Sequence, residues 1–176
     1  MTLRLTAVLA AVLALAACEA PPLGADGRPV ARAYRVSDAV APQIQLRMLE
    51  SVNALRRAAS AEPLTLDAAL TAAAATHARD MSVQNRPWHF GSDGSSPVSR
   101  AARAGYAGSL LGELISETYE TEVETLAAWM QNPDTRAIVL NPEARNMGFA
   151  FFQEPNGKLW WVLTTGAPVP ATIPAF

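Results

Sequence analysis

Cysteine occurs once in these 176 residues, at Cys18, so no intrachain disulfide can form and the fold must be held by its own core. Lysine also occurs once, at Lys158, and 14 basic against 16 acidic residues leave a net charge of −2. No basic patch appears, which excludes the phosphate-neutralising surface that nucleic-acid binding requires. Histidine occurs only at His77 and His89, so imidazole chemistry has two places to happen. There is no Gly-x-Ser-x-Gly elbow, no His-Glu-x-x-His helix and no phosphate-binding loop. Nor does any apolar run reach the ~20 residues of a membrane-spanning helix.

What is present begins with Arg4 and an uncharged apolar stretch from Leu5 to Ala17. As a helix this stretch is about 20 Å long, short of the ~30 Å hydrocarbon core and suited to a signal peptide. It ends Leu15-Ala16-Ala17-Cys18, which resembles a bacterial lipobox. The expectation is a signal peptide over residues 1–17, removed to leave an acylated Cys18 that anchors the chain to a membrane on the periplasmic side. Glu19, rather than aspartate, after the cysteine favours the outer membrane. Cleavage removes Arg4 and no acid, making the remainder one charge more negative. Residues 18–41 carry Pro21-Pro22, Gly24, Gly27 and Pro29 and suit a flexible tether, which for ~20 residues spans on the order of 25 Å. One domain is expected over 42–167, and an irregular, proline-bearing tail over 168–176.

Within the domain a first helix is expected from Pro42 to Ala59, with Ile44, Met48, Val52 and Leu55 on its apolar face. A second runs from Ala68 to Gln84, capped by Thr65 or Asp67, with Leu70, Ala74, His77 and Met81 on one stripe. A polar loop from Asn85 to Ser95 leads to Ser96-Pro97, an N-cap and first-turn proline that start a short helix to about Ala104. Leu110 to Ser116 suits a strand. Thr121-Glu122-Val123-Glu124 has the capping-box form and opens a helix that Asn132-Pro133 ends. Met147–Gln153 and Leu159–Thr165 flank Glu154-Pro155-Asn156-Gly157, a hairpin with a bulged type I turn. Helices ordered around a short antiparallel sheet predict an α+β fold.

These residues resemble the CAP superfamily (the SCP-like, or cysteine-rich secretory, antigen 5 and PR-1, family) in its bacterial branch. The resemblance runs through Val52-Asn53-Ala54-Leu55-Arg56, Pro63-Leu-Thr-Leu-Asp67, His77-Ala-Arg-Asp-Met81 and His89-Phe-Gly-Ser-Asp93-Gly-Ser-Ser-Pro97. It continues through Arg100, Ala104-Gly-Tyr106, Gly112-Glu113, Trp129-Met130 and Arg136, covering about residues 45–165. It implies a three-layer α-β-α sandwich whose central cleft is lined by two histidines and acidic residues, with a divalent metal in some members.

By that resemblance His89 is the first cleft histidine and Glu113 the glutamate of a Gly-Glu-Asn motif, here Gly112-Glu113-Leu114. The second cleft histidine is Thr135, and the second acidic position of animal relatives is Asn132. His89 and Glu113 are ordinary zinc ligands, or an acid and a base without metal, but two ligands fall short of the three a catalytic zinc site keeps. Thr135 adds at best a weak neutral oxygen. No cofactor is therefore expected, with zinc in the cleft the minor alternative. His77, on its apolar stripe, is expected to be a hydrogen-bonded core histidine, and Trp129 a core residue. Asp93 suits a turn. Glu113, between Leu110-Leu111 and Leu114-Ile115, needs a partner, with Arg100 and Arg136 as candidates. The expected function is a non-catalytic, cell-envelope module that binds a lipid, glycan or protein. The rival is an envelope hydrolase with His89 and Glu113 as its acid/base pair. A structural lipoprotein with a vestigial cleft is the third possibility.

Overall fold

Apolar residues four apart, Ile44, Met48 and Val52, give the first helix, α1 (Ala41–Ala58), a face that is fully buried. In the computed structural model, which describes residues 34–169 apart from positions 38 and 119, this face packs on one side of a mixed sheet. The expected signal peptide, Cys18, the tether up to residue 33 and the tail from residue 170 lie outside the described residues. The domain starts earlier than position 42. Gln153 Nε2 donates to the Tyr34 carbonyl (2.6 Å) and Val36 N–H donates to Gln153 Oε1 (3.0 Å), so the end of the expected tether is stitched to the sheet.

A two-residue strand, β1 (Thr65–Leu66), precedes α2 (Ala68–Gln84), whose Asp67 cap accepts from the Leu70 N–H. The loop after α2 enters α3 (Pro97–Arg103), capped by Ser96, and then β2 (Ser109–Thr118). Helix α4 (Glu122–Gln131) carries the full capping box between Thr121 and Glu124. The hairpin strands β3 (Asn146–Gln153) and β4 (Leu159–Ala167) turn at Gly157, whose φ of +99° favours glycine.

Two features depart from the sequence expectations. The chain does not leave helical structure for good at Asn132-Pro133. It ends α4 and restarts as α5 (Pro133–Val139), with Asn132 Oδ1 capping the Asp134 N–H and proline in the first turn. The sheet is also not purely antiparallel: its order is β1-β3-β4-β2, and β1 pairs in parallel with Asn146 and Met147 of β3.

Strand alternation sorts the layers. Leu159, Trp161 and Leu163 of β4, with Leu114 of β2, face α1, α4 and α5. Trp160 and Val162 face the Ala74, Ala78 and Met81 stripe of α2. The second face needs small residues, because α2 lies close to the sheet: a Cβ on Gly148 would collide with the helix backbone at Leu70 and Thr71. The result is the α-β-α sandwich, with Glu113, opposite Thr164 in the β2–β4 ladder, on the α2 face.

A polar residue continues α1's buried stripe at the same spacing. Arg56 is completely buried, and its guanidinium donates to four main-chain carbonyls: Glu62 (2.7 Å), Val139 (2.7 Å), Asn141 (3.0 Å) and Ala144 (3.1 Å). Burial, with the charge of Arg145 adding to it, lowers its pKa.

Candidate functional site

Glu113 is the centre of the polar cluster. The bulge between Leu110 and Gly112 shifts the register just before it, and alternation then turns its side chain away from α5, which meets β2 through Ile138 against Gly112. The carboxylate, 3% exposed, is held by three elements. Arg100 of α3 donates through Nη2 to Oε1 (2.9 Å) and Oε2 (2.8 Å). His89, from the loop after α2, places Nδ1 2.9 Å from Oε1. His77 of α2 places Nε2 3.8 Å from the same oxygen. The remaining Arg100 Nη1 donates to the Ser95 carbonyl (2.9 Å), which ties the loop to the buried pair.

The two histidines differ. The His89 side chain is half exposed, with its ring reaching Glu113 from the solvent side. His77 is fully buried, and its Nε2 lies 2.9 Å from the Trp88 carbonyl. A carbonyl only accepts, so Nε2 carries the proton and Nδ1 is the lone-pair nitrogen. Desolvation pushes the His77 pKa below its ordinary value, against an opposing pull from Glu113. His77 is thus a hydrogen-bonded core histidine, as its stripe predicts, yet it also abuts the glutamate of the cluster. The helical spacing that buried it brought it there.

That depressed pKa has a consequence for stability. The unfolded chain binds a proton at histidine near pH 6.5, whereas folded His77 takes it up only at lower pH. Stability from this residue is therefore complete above about pH 6.5 and is lost as pH falls below it. Urea titrations at pH 7 and pH 5 are expected to show a larger loss for the natural protein than for His77→Gln, since the glutamine has no proton to gain.

The remaining expected site residues lie elsewhere. Thr135 donates through Oγ1 to the Trp129 carbonyl, and Asn132 caps α5. No hydrogen bond or ion pair joins either to His89 or Glu113 among the described residues. Arg136 donates to the Met130 carbonyl (3.3 Å), leaving Arg100 as the partner of Glu113. Trp129 is buried in the core, its indole N–H on the Ile115 carbonyl. Asp93 accepts from the Ser95 N–H, two residues on, as a turn-forming aspartate does, and also pairs with Arg103 at 2.7 Å.

A zinc ion does not suit this donor set. Zinc is held by three or four nitrogen, sulfur or carboxylate ligands, and of the three such side chains that meet here His77 offers only its protonated Nε2, which is spent on the Trp88 carbonyl, so two ligands remain. Both oxygens of Glu113 already face a guanidinium, whose fixed positive charge opposes a dication in the same place. Arg100 is one of the two partners expected for Glu113, whereas Asp80 is a residue of the site that the sequence analysis does not single out. Asp80 accepts from the Ser92 N–H (2.7 Å) and from Gln84 Nε2 (2.8 Å), pinning the loop to α2. The signal was present: His77 and Asp80 are three apart, on one side of one helix.

Residues 49–164 match the model of CAP, the cysteine-rich secretory protein family. The uncharacterized protein YkwD of Bacillus subtilis is 27% identical over 114 residues, which are 65% of this chain and 44% of that protein. This chain thus spans less than half the length of that relative. Among solved structures, an outer surface protein of Borrelia burgdorferi aligns with a TM-score of 0.69 at 14% identity, over 78% of this chain and all of that one. An extracellular protein containing an SCP domain from Bacillus anthracis aligns with a TM-score of 0.68 at 17% identity, over 76% of this chain and 45% of that one. At these identities the structural likeness is one of fold.

Proposed function

Because the chain belongs to the CAP, or cysteine-rich secretory protein, family, we propose that it is a non-catalytic binding module of the bacterial cell envelope. Its ligand is a lipid, glycan or protein met outside the cytoplasm. The observation that carries this reading is the state of Glu113. A general base needs a free lone pair aimed at substrate, and a general acid needs a proton to give. Here Arg100 and His89 occupy the carboxylate from two sides, and the charge pair is buried. No cysteine lies in the domain, and Ser96 is spent on a helix cap. The acid/base pair of the hydrolase reading is present in composition but bound to itself. Zinc forms no part of the proposed role.

The test is incubation of the purified full-length chain with isolated peptidoglycan sacculi. Co-sedimentation without release of soluble fragments is expected. Release of fragments that stops in a Glu113→Gln variant would establish the hydrolase instead.

Placement in the envelope is the second part of the proposal. The lipobox-like Leu15-Ala16-Ala17-Cys18 supports thioether lipidation of Cys18, and more than one acyl chain gives a firm anchor where a single chain holds marginally. Cys18→Ser is expected to abolish incorporation of labelled palmitate and to move the protein out of the detergent phase in a partitioning experiment. Equal labelling of variant and parent would remove the anchor from the proposal.

A further inference from the structure

Strand β3 is an edge strand for most of its length. β1 covers it only at Asn146 and Met147, and it runs on to Gln153 with no further strand on that side. The first outward groups are satisfied: the Met147 carbonyl accepts from the Asp67 N–H and the Phe149 carbonyl from Gln45 Nε2, both at 2.9 Å. Alternation turns the Phe149 N–H and both main-chain groups of Phe151 the same way. Among the described residues these three have no hydrogen-bond partner. Edges that are kept from pairing carry charge or proline, and β3, Asn146-Met-Gly-Phe-Ala-Phe-Phe-Gln153, has neither.

The open stretch lies along a groove. The start of α1, with Ala41, Pro42 and Gln45, walls one side and Ala75 of α2 the other, around a space of about 390 Å³ floored by Ala150 and Phe151. Past Phe151 it continues into a second space of about 450 Å³, between Phe152 and the stretch from Arg35 to Ser37. The occupant must be narrow, because paired strands lie only ~4.8 Å apart. A second copy brings the same helical walls beside its own β3, and these meet before two edges can. An acyl chain would leave the three main-chain groups unpaired. An extended peptide satisfies them and carries no walls. Gln153 already holds chain in this manner, its amide donating to the Tyr34 carbonyl and accepting from the Val36 N–H.

Charge narrows the chemistry of that peptide. The Arg79 guanidinium lies 5.4 Å from the centre of the Phe152 ring, and Arg35 lines the same end of the groove. Neither pairs with a carboxylate among the described residues. Glu154, the acid at that end, is already engaged: Trp160 and Ser82 donate to its Oε1 and Asn156 to its Oε2.

We propose that the β3 edge from Phe149 to Gln153 takes up an extended, mainly apolar peptide segment of another envelope protein as an added strand, an acidic side chain of that segment facing Arg79 and Arg35. This rests on the binding-module reading and selects protein from its ligand classes.

The probe is the peptide Ser-Val-Ala-Val-Thr-Val-Asp-Ser, blocked at both ends and titrated into the ¹⁵N-labelled full-length chain. Recognition through the main chain tolerates sequence, so a designed strand is a sufficient ligand. The Phe149 and Phe151 amide resonances are expected to move downfield together, and their exchange with solvent to slow. The same peptide N-methylated throughout keeps every side chain but has no donors, and should move neither. Arg79→Glu, at an exposed position, should weaken binding about threefold, and lysine in place of the peptide's aspartate should restore it. Ala75→Tyr fills the groove from an exposed helix position and should abolish binding without lowering the melting temperature. Equal binding of the methylated peptide would overturn strand addition. Edge amides that move with protein concentration alone would assign the edge to a second copy and overturn the proposal. Unmoved amides with sacculi that still co-sediment would overturn the edge site and leave the binding-module reading standing. Failure of both would overturn both.

Discussion

Replacing Arg56 with leucine is expected to cost the domain about 3–5 kcal/mol, enough to remove a large part of the total stability of a domain this size. The arginine is wholly buried and faces no carboxylate. Its charge is met by four main-chain carbonyls, one of which belongs to Val139, the last residue of α5. The negative end of that helix dipole is where a cation is most favourable. The same side chain joins the end of α1, the approach to β1 and the turn before β3. Leucine fills much of the volume but leaves those carbonyls without a donor, and an abandoned buried acceptor costs about 1–3 kcal/mol. Arg56→Lys is expected to fall between the two, because a compact ammonium keeps the charge but cannot span four acceptors in the plane of a guanidinium. Urea denaturation of the three proteins measures the series. A loss below about 1 kcal/mol for the leucine variant would mean that water enters and serves the carbonyls instead.

The second large effect is expected at Arg100. Breaking a buried ion pair from one side typically costs about 3–5 kcal/mol, because the abandoned charge stays in a poorly solvating place. Arg100→Leu leaves the Glu113 carboxylate facing the His89 and His77 imidazoles without its guanidinium, and also releases the Ser95 carbonyl. Removing both charges together should be far milder, since well-packed apolar replacements of a buried pair are often neutral or better. The double variant Arg100→Leu/Glu113→Leu is thus expected to be more stable than Arg100→Leu alone. Thermal melts of the two single variants and the double variant close the cycle. Additive losses would show that the two residues act separately and that the pair does not organise the site.

Much of this fold was legible in short signals whose physics is local. The Asp67, Ser96 and Thr121 caps, the α2 stripe and the Pro-Asn-Gly turn each settle within a few residues, and the structure has them where the sequence puts them. Asn132-Pro133 differs from its expectation for an instructive reason, since Ser96-Pro97, of the same form, reads as a helix start. Placed after a helix, the pair reads as a terminator, but it is both an end and a beginning. Strand β1 escaped because two residues carry no periodicity, and its partner is some eighty positions away. The site divides in the same way. Glu113's need for a partner could be read from its apolar neighbours, but which arginine supplies it depends on how α3 lies against β2. The role of His77 fell between two expectations because burial and proximity to the cluster are one fact seen from two sides.

The sheet order has a bearing on when this molecule can become itself. Strand β4 is the last of the four in the chain, yet it lies between β3 and β2, which do not touch each other. Until Leu159–Ala167 is available, β2 has no strand beside it and β3 has only the two-residue β1. A polypeptide emerging from a ribosome therefore carries its helices before it has a surface to dock them on, and its domain closes only after the final strand is out. Such a chain stays threadable for most of its synthesis, as a protein must be if it is to pass through a narrow channel before it folds.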